Sequence, residues 1–193
     1  MKNLIGSSFL AGLFISIGCI VNLSVGGGVV GAVLFSLGLL SVVSYRLKLY
    51  TGTAGFIDFN KILDYRDLCI IVLVNVLACA IISSVVSYSL PILNSSSIVQ
   101  KVVEQGMLKD GVNAIFCGIL MTLAVKFGRE NNWLPLLFAV PVFILSGFRH
   151  SIADGFYFSL FGWNLELMSI WIFEVIGNFI GCNLVRWICK DKK

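Results

Sequence analysis

The chain has 193 residues, of which 58% are hydrophobic and only 12% are charged, and its mean hydropathy is +0.96. A soluble globular domain carries roughly 25% charged residues because its surface faces water, so this composition excludes an ordinary soluble domain. The net charge of +4 is expected to reflect membrane topology, and no nucleic-acid partner is predicted.

Six apolar stretches follow one another along the chain, and a membrane-crossing helix needs about 20 such residues. We predict an all-α membrane protein whose six transmembrane helices span 3–22, 28–48, 67–88, 111–127, 133–162 and 166–188. The first stretch is similar to a signal peptide. It lacks a small-x-small cleavage site, however, and five further stretches follow, so we expect it to be retained.

The only sizeable loop is predicted at 89–110. It divides a single transmembrane domain, residues 1–193, into halves of approximately 1–88 and 111–188 with three helices each. An odd number of helices in each half means that the two halves, if they are related, are inverted repeats.

The basic residues predict the orientation of the chain. With six crossings both termini lie on one side, where nine basic residues are expected: Lys2, Lys61, Arg66, Lys126, Arg129, Arg186, Lys190, Lys192 and Lys193. The opposite side has only Lys101 and Lys109. Because cytoplasmic loops carry the excess of lysine and arginine, we predict that both termini are cytoplasmic.

The second and fifth helices are predicted to be broken, at Tyr45 to Gly52 and at Phe148 to Gly155, where charges, hydroxyls and glycines replace apolar residues. Three cations, Arg46, Lys48 and Arg149, fall in these breaks. A cation at the centre of a span costs about 2.5–3.5 kcal/mol, which a water-filled cavity or protein partners can offset and lipid cannot. Two interrupted helices in corresponding positions of two halves therefore predict a transport site.

Each candidate residue also has a structural interpretation. His150 is the only histidine and lies at a break, and its ordinary pKa of about 6.5 suits proton exchange near neutrality. Arg46 is equally well explained by snorkelling to the membrane interface, and Asp154 by neutralising a neighbouring arginine. For Glu174, within the sixth helix, we favour that neutralisation.

The remaining small residues are interpreted as packing groups. The six cysteines show no CxxC or metal-ligand spacing, so neither a metal site nor a cofactor is predicted. Gly177 and Gly181 have the small-xxx-small spacing of packed helices.

Five short stretches, in order along nearly the whole chain, carry a family resemblance: Phe35-Ser-Leu-Gly38-Leu39, Leu49-Tyr50-Thr51-Gly52, Gly118-Ile119-Leu120, Gly147-Phe148-Arg149-His150-Ser151-Ile152-Ala153-Asp154 and Gly177-Asn178-Phe179-Ile180-Gly181. Together they resemble the motifs of the formate/nitrite transporter family. Each stretch alone has little specificity, whereas the five in the right order and spacing are fairly specific.

The resemblance implies a homopentamer of aquaporin-like protomers in a bacterial-type inner (plasma) membrane, surrounded by membrane lipid. Each protomer would have its own pore for a small monovalent anion, or its conjugate weak acid, of the formate, nitrite and hydrosulfide class. His150 matches the family's central histidine and Thr51 its loop threonine. The positions that match the two apolar constrictions are Phe35, Leu39, Phe143, Leu49 and Tyr50. An anion crosses an apolar ring at high cost, whereas its neutral acid does not.

The sequence also departs from the family motifs. The acidic residue expected in each break is basic here, as Lys48 and Arg149, and the family lysine ahead of the fourth helix falls at Gly106. Two motif asparagines are replaced by Asp154 and Thr122. Either the positive charge that the family has ahead of the fourth helix has moved to the breaks in this sequence, or the transported anion or the proton-coupling step differs from that of the family. The predicted substrate pathway consists of His150, Thr51, Lys48, Arg149, Asp154 and Thr122.

Two other classes of function are weighed against an anion transporter. A channel for a small neutral solute such as urea, ammonia or water would suit apolar rings and hydroxyls, although it would not need three intramembrane cations. The other class is a membrane-embedded enzyme or a non-transporting sensor, and intramembrane hydrolysis would need a nucleophile–base pair or metal ligands at depth. The sequence offers one histidine and no paired carboxylates, so we predict that the protein is not an enzyme.

Overall fold

The computed structural model describes residues 2–90 and 93–189, and the regular secondary structure within them is helical. Pro91 of the predicted loop and Lys190, Lys192 and Lys193 of the predicted basic terminus lie outside the described residues, as does the side chain of Lys2. The helices are α1 (Lys2–Ser24), α2 (Gly28–Ser44), α3 (Tyr50–Ala54), α4 (Ile62–Ser89), α5 (Ser96–Gln105), α6 (Met107–Arg129), α7 (Leu134–Leu145), α8 (Ser151–Phe161) and α9 (Leu165–Cys189).

Four helices of the described ranges, α1, α4, α6 and α9, are long and apolar enough to cross a membrane, and α2 and α7 are shorter apolar helices. Many large apolar side chains are exposed on the protomer, among them Val29, Leu37, Leu73 and Phe138. So many exposed apolar side chains suit a surface that meets lipid or another subunit rather than water. The chain is accordingly a multi-pass membrane protein.

Helix α5 lies inside the segment that was predicted to be a loop. Its Val99 and Val102 are buried, whereas Lys101 and Gln105 are exposed, which gives a short amphipathic helix. The prediction of a loop over 89–110 is therefore wrong at Ser96–Gln105, and also from Met107 onward, where α6 begins. The apolar face of α5 is too narrow to produce the continuous hydropathy of a transmembrane helix.

Helices α6 and α9 pack against each other through glycines. A Cβ atom on Gly177 would overlap the carbonyl oxygen of Gly111, and one on Gly181 would overlap the carbonyl oxygen of Ile115. Small residues allow two helix backbones to approach this closely. The predicted packing role of Gly177 and Gly181 is therefore confirmed.

Helices α2 and α7 end in the same backbone arrangement. The second residue after each helix, Arg46 or Gly147, has a left-handed φ of 53° or 73°. The N–H group of the next residue donates to the carbonyl oxygen five residues earlier, at 2.9 Å in both cases. This is the Schellman arrangement, which terminates a helix. Residues 45–49 and 146–150 are non-helical, and α3 and α8 begin after them.

Candidate functional site

The two non-helical segments lead to a contact in the interior of the protein. Thr51 lies in the first turn of α3 and His150 immediately precedes α8, and both side chains are buried. Thr51 Oγ1 is 2.9 Å from His150 Nε2. The starts of two helices from distant parts of the chain are therefore joined by a single side-chain hydrogen bond.

The hydrogen bonds of His150 determine where its neutral ring carries the proton. Nδ1 accepts a hydrogen bond from the backbone N–H of Ala153 at 3.2 Å, which caps the start of α8. An N–H group only donates, so Nδ1 must be unprotonated and the proton of the neutral imidazole lies on Nε2. His150 then donates to Thr51 Oγ1, and the hydroxyl hydrogen of Thr51 is left to donate to another group.

A buried asparagine of α4 fixes the start of α3. Asn75 Oδ1 accepts a hydrogen bond from the N–H of Tyr50 at 2.9 Å. Its Nδ2 donates to the carbonyl oxygens of Ser8 at 2.7 Å and Lys48 at 3.0 Å. Asn75 therefore ties the non-helical segment 45–49 to both α1 and α4, which holds Thr51 in position.

A buried asparagine of α9 fixes the start of α8. Asn178 Oδ1 accepts from the N–H of Ser151 at 2.9 Å. Its Nδ2 donates to the carbonyl oxygens of Ala114 and Arg149, both at 2.8 Å. Asn178 therefore holds the two residues that flank His150, and with them the orientation of the imidazole.

Aromatic rings cover one side of the histidine. The Phe143 ring stacks on His150 with centroids 5.8 Å apart, and Phe35 meets Phe143 edge to face at 5.9 Å. Phe35 and Phe143 are both buried. The only histidine of the chain therefore lies beside an apolar aromatic pair, where a charged solute would lose its hydration.

A cavity of about 490 Å³ reaches this aromatic pair. It lies at the end of the protein formed by the α1–α2 turn, α5 and the segment between α7 and α8. The side chains that decide its chemistry are Phe35, Phe143, Lys101, Arg149, His150 and Asp154. It therefore brings three predicted pathway residues, Arg149, His150 and Asp154, to one space.

Arg149 is not a free positive charge in this cavity. Its Nε donates to Asp110 Oδ1 at 2.7 Å, and its Nη2 donates to Gln105 Oε1 at 3.2 Å. The side chains of Arg149 and Asp110 are 10% and 0% exposed, so this ion pair is buried. The predicted arginine neutralisation thus exists, but its partner is Asp110 rather than Glu174.

Glu174 lies against Asp154 instead. Their carboxyl groups are within hydrogen-bonding contact, and both residues are buried. Two predictions are therefore wrong: Glu174 makes no ion pair with an arginine in the described part of the chain, and paired carboxylates do exist. Asp154 lies on α8 and Glu174 on α9, so their spacing along the chain offered no sign of the pair.

Two other predicted pathway residues lie away from the cavity. The Lys48 side chain is exposed, and its backbone groups bond to Ser7 and Asn75. Thr122 Oγ1 donates to the carbonyl oxygen of Cys182 at 3.1 Å, which joins α6 to α9. Neither side chain belongs to the lining of the cavity.

Three predicted constriction residues are absent from the lining of the cavity. Leu39 and Leu49 are buried apolar side chains. Tyr50 is also buried, and its hydroxyl donates to the carbonyl oxygen of Val175 at 2.9 Å. Of the five predicted constriction residues, the cavity lining thus includes Phe35 and Phe143.

Several residues that shape the site were not identified from the sequence. Asp110 was assigned to a loop, whereas it lies in the first turn of α6 and pairs with Arg149. Asn75 was not singled out. An asparagine in the middle of an apolar helix was the available signal, because such a side chain needs buried partners.

The chain is similar to known proteins in sequence and in fold. The family model described as formate/nitrite transporter matches residues 1–189. The structure is similar to that of a pentameric formate channel with formate bound, with a TM-score of 0.73 and 17% sequence identity over 98% of this chain and 95% of that one. It is also similar to an FNT family ion channel, with a TM-score of 0.78 and 18% identity over 96% of this chain and 89% of that one. No curated protein sequence matches the chain.

Proposed function

The chain belongs to the formate/nitrite transporter family, and from that premise we propose that each protomer conducts a small monovalent anion or its conjugate weak acid. The contact between Thr51 and His150 at the inner end of the cavity is the observation that carries this proposal. It puts a proton-bearing ring and a free hydroxyl hydrogen beside the apolar residues that a solute must pass.

The expected route begins in the cavity. An anion meets Lys101, whose ammonium group is exposed and makes no ion pair among the described residues. It then reaches His150 and Thr51, which offer hydrogen bonds at the point where Phe35 and Phe143 exclude water. Because a desolvated anion is costly and its neutral acid is not, we propose that the solute takes up a proton before it passes Leu39 and Leu49.

The roles of the individual pathway residues follow from their contacts. His150 and Thr51 bind the solute, while Asp154 faces it from the cavity wall. Arg149 holds the wall together through Asp110. Lys48 acts on the solute only as an exposed charge, and Thr122 acts only by joining α6 to α9.

The proposed topology has six crossings in two inverted repeats. Helices α1, α4, α6 and α9 would each cross once, and the broken pairs α2–α3 and α7–α8 would supply the other two crossings. The matching Schellman arrangements at Arg46 and Gly147 support this relation between the halves. We further propose cytoplasmic termini in a bacterial-type inner membrane and a homopentamer, the latter because the similar formate channel is pentameric.

One observation favours a channel for a neutral solute as a second candidate. The Arg149–Asp110 ion pair cancels one of the intramembrane charges that argued against such a channel. Urea is the appropriate test solute, because it is small and uncharged over the whole physiological pH range.

The test is solute flux in liposomes that contain the purified protein. Formate, nitrite, hydrosulfide, chloride and urea are compared across about pH 5–8, the range in which histidine titrates, with His150→Ala as the variant. Anion flux that rises toward acid pH and falls in the variant supports the proposal. Urea flux without anion flux supports the neutral-solute channel, and anion flux that is equal in the variant contradicts the assigned role of His150.

A further inference from the structure

The carboxyl groups of Asp154 and Glu174 form a buried pair that the proposed route does not explain. Glu174 is 0% exposed and Asp154 is 4% exposed. Both oxygens of Glu174, and Oδ2 of Asp154, lack a hydrogen-bond donor within the described residues, although the two carboxyl groups are in contact with each other. Two carboxylates bring only acceptors to such a contact.

A single proton removes this conflict. If both groups were ionised, two negative charges would lie in contact in the protein interior, which is costly without donors or a counter-charge. When one group is protonated, its O–H donates to the other carboxylate and two groups without partners are satisfied together. Two buried carboxyl groups in contact therefore hold one proton in preference to none.

No neighbouring side chain among the described residues replaces the shared proton as a hydrogen-bond donor to the pair. Arg149 is the one nearby cation among the described residues, and the hydrogen bonds recorded for its guanidinium go to Asp110 and Gln105. The arginine attracts both carboxyl groups through space, which limits the cost of a transient second charge. The ionisable groups that act on the pair are Arg149 and Asp110, and the pair in turn acts on Cys19, Cys117 and Tyr157.

Only one member of the pair faces the solute. Asp154 lines the cavity together with His150, whereas Glu174 does not. A proton can thus enter or leave through Asp154, while Glu174 holds it in the interior. The family motif that this chain resembles has asparagine where Asp154 stands, so the pair is a feature of this sequence rather than of the motif.

We propose that Asp154 and Glu174 share one proton and donate it to the anion in the cavity. The donation rests on the proposed function, whereas the sharing does not. In the donation step the O–H bond of the pair breaks and a new O–H bond forms on an oxygen of the anion. The solute becomes neutral, and the pair becomes a dianion beside Arg149. A hydronium ion from the aqueous phase then returns one proton to the pair through Asp154 and becomes water.

Infrared spectroscopy of the intact oligomer tests the sharing without any transport. The expected result at neutral pH is a carboxylic-acid C=O band that disappears in Glu174→Gln and in Asp154→Asn. In Glu174→Gln the amide N–H replaces the shared proton as the donor to Asp154. The matched control is Glu166→Gln, an exposed glutamate of the same helix, which keeps the band. A band that is missing from the unmodified protein, or that survives both substitutions, overturns the proposal.

Formate flux in liposomes tests the donation. We expect Glu174→Gln and Asp154→Asn to lower the flux at neutral pH on the order of tenfold or more, as loss of a positioned acid does. The difference in flux between the variants and the unmodified protein should narrow at acid pH, where hydronium ions protonate formate directly. The flux of Glu166→Gln should match that of the unmodified protein. If the two variants lose the infrared band but carry formate as fast as the unmodified protein at every pH, the proposed donation is wrong. If the unmodified protein carries no anion, the proposed function fails while the infrared result still decides whether the proton is shared.

Discussion

Asn75 and Asn178 make the same three hydrogen bonds at the starts of α3 and α8. Each amide oxygen accepts from the first N–H group of its helix, and each amide nitrogen donates to two carbonyl oxygens. One of those carbonyls lies two residues before the helix start, at Lys48 or Arg149, and the other lies on α1 or α6. The two asparagines therefore have the same function in the two halves: each satisfies the polar groups of non-helical backbone in the protein interior.

Removal of either asparagine side chain should destabilise the protein. Asn75→Ala and Asn178→Ala each delete three hydrogen bonds of a buried side chain, and at about 1 kcal/mol for each bond the expected loss is about 3 kcal/mol. Unfolding of the purified protein in detergent measures the loss. Asn132→Ala, at an exposed turn position, is the control. Equal stability of Asn178→Ala and Asn132→Ala would falsify the proposed role of Asn178.

The hydroxyl of Thr51 should be required for flux. Thr51→Val keeps the shape of the side chain but leaves the Nε2–H of His150 without its partner. We expect formate flux to fall about tenfold, which corresponds to one hydrogen bond of about 1.4 kcal/mol, and Thr51→Ser to restore it. Thr53→Val, two residues further along α3, is the matched control and should keep normal flux. The hypothesis fails if Thr51→Val and Thr53→Val transport formate equally fast.

The Arg149–Asp110 pair should behave as a buried ion pair. Arg149→Gln or Asp110→Asn alone leaves one buried charge without its partner, at a cost of about 3–5 kcal/mol. The double variant should lose much less stability than the sum of the two, because no lone charge remains. Arg66→Gln breaks an exposed pair with Asp67 and should cost at most about 1 kcal/mol. Additive losses in the double variant would show that the two side chains act independently.

The long apolar helices followed from the sequence, because hydropathy is a local signal. Helix α4 begins at Ile62 rather than at residue 67, since its first turns carry charged residues such as Asp64 and Arg66 that hydropathy excludes. The short amphipathic helix α5 was missed for the related reason that only one of its faces is apolar. Family membership, predicted from five motifs, is confirmed.

The pairing of side chains did not follow from the sequence. Spacing along the chain cannot show that Asp110 reaches Arg149, or that Glu174 meets Asp154, because each contact joins different helices. The family resemblance singled out Thr51 and His150 separately, and their hydrogen bond was not predicted. The sequence therefore predicted which residues are unusual for a membrane helix, whereas the structure was needed to find the partner of each.

Lys101 should attract the anion to the cavity. It lines the cavity and is exposed, while the charge of Arg149 is cancelled by Asp110. Lys101→Gln should raise the apparent KM for formate a few-fold at about 0.01 M salt, and the effect should vanish near 1 M salt, where charges are screened within about 3 Å. Lys109→Gln, an exposed lysine outside the cavity, is the control. A salt-independent change in KM would contradict an electrostatic role.

The α6–α9 contact should tolerate no added carbon at Gly181. A Cβ there would overlap the carbonyl oxygen of Ile115, which belongs to helix backbone and cannot rotate away as a side chain does. Because α9 carries both Asn178 and Glu174, a shift of this helix also disturbs the hydrogen bonds around His150. We expect Gly181→Ala to lower the unfolding free energy by about 1–3 kcal/mol or more and to reduce formate flux.

Gly6→Ala, on α1 with open space around it, should be neutral or slightly stabilising, since alanine favours helix over glycine by about 1 kcal/mol. Equal unfolding transitions for the two variants would mean that α9 can move away from α6 without loss, and that the position of Asn178 does not depend on this contact.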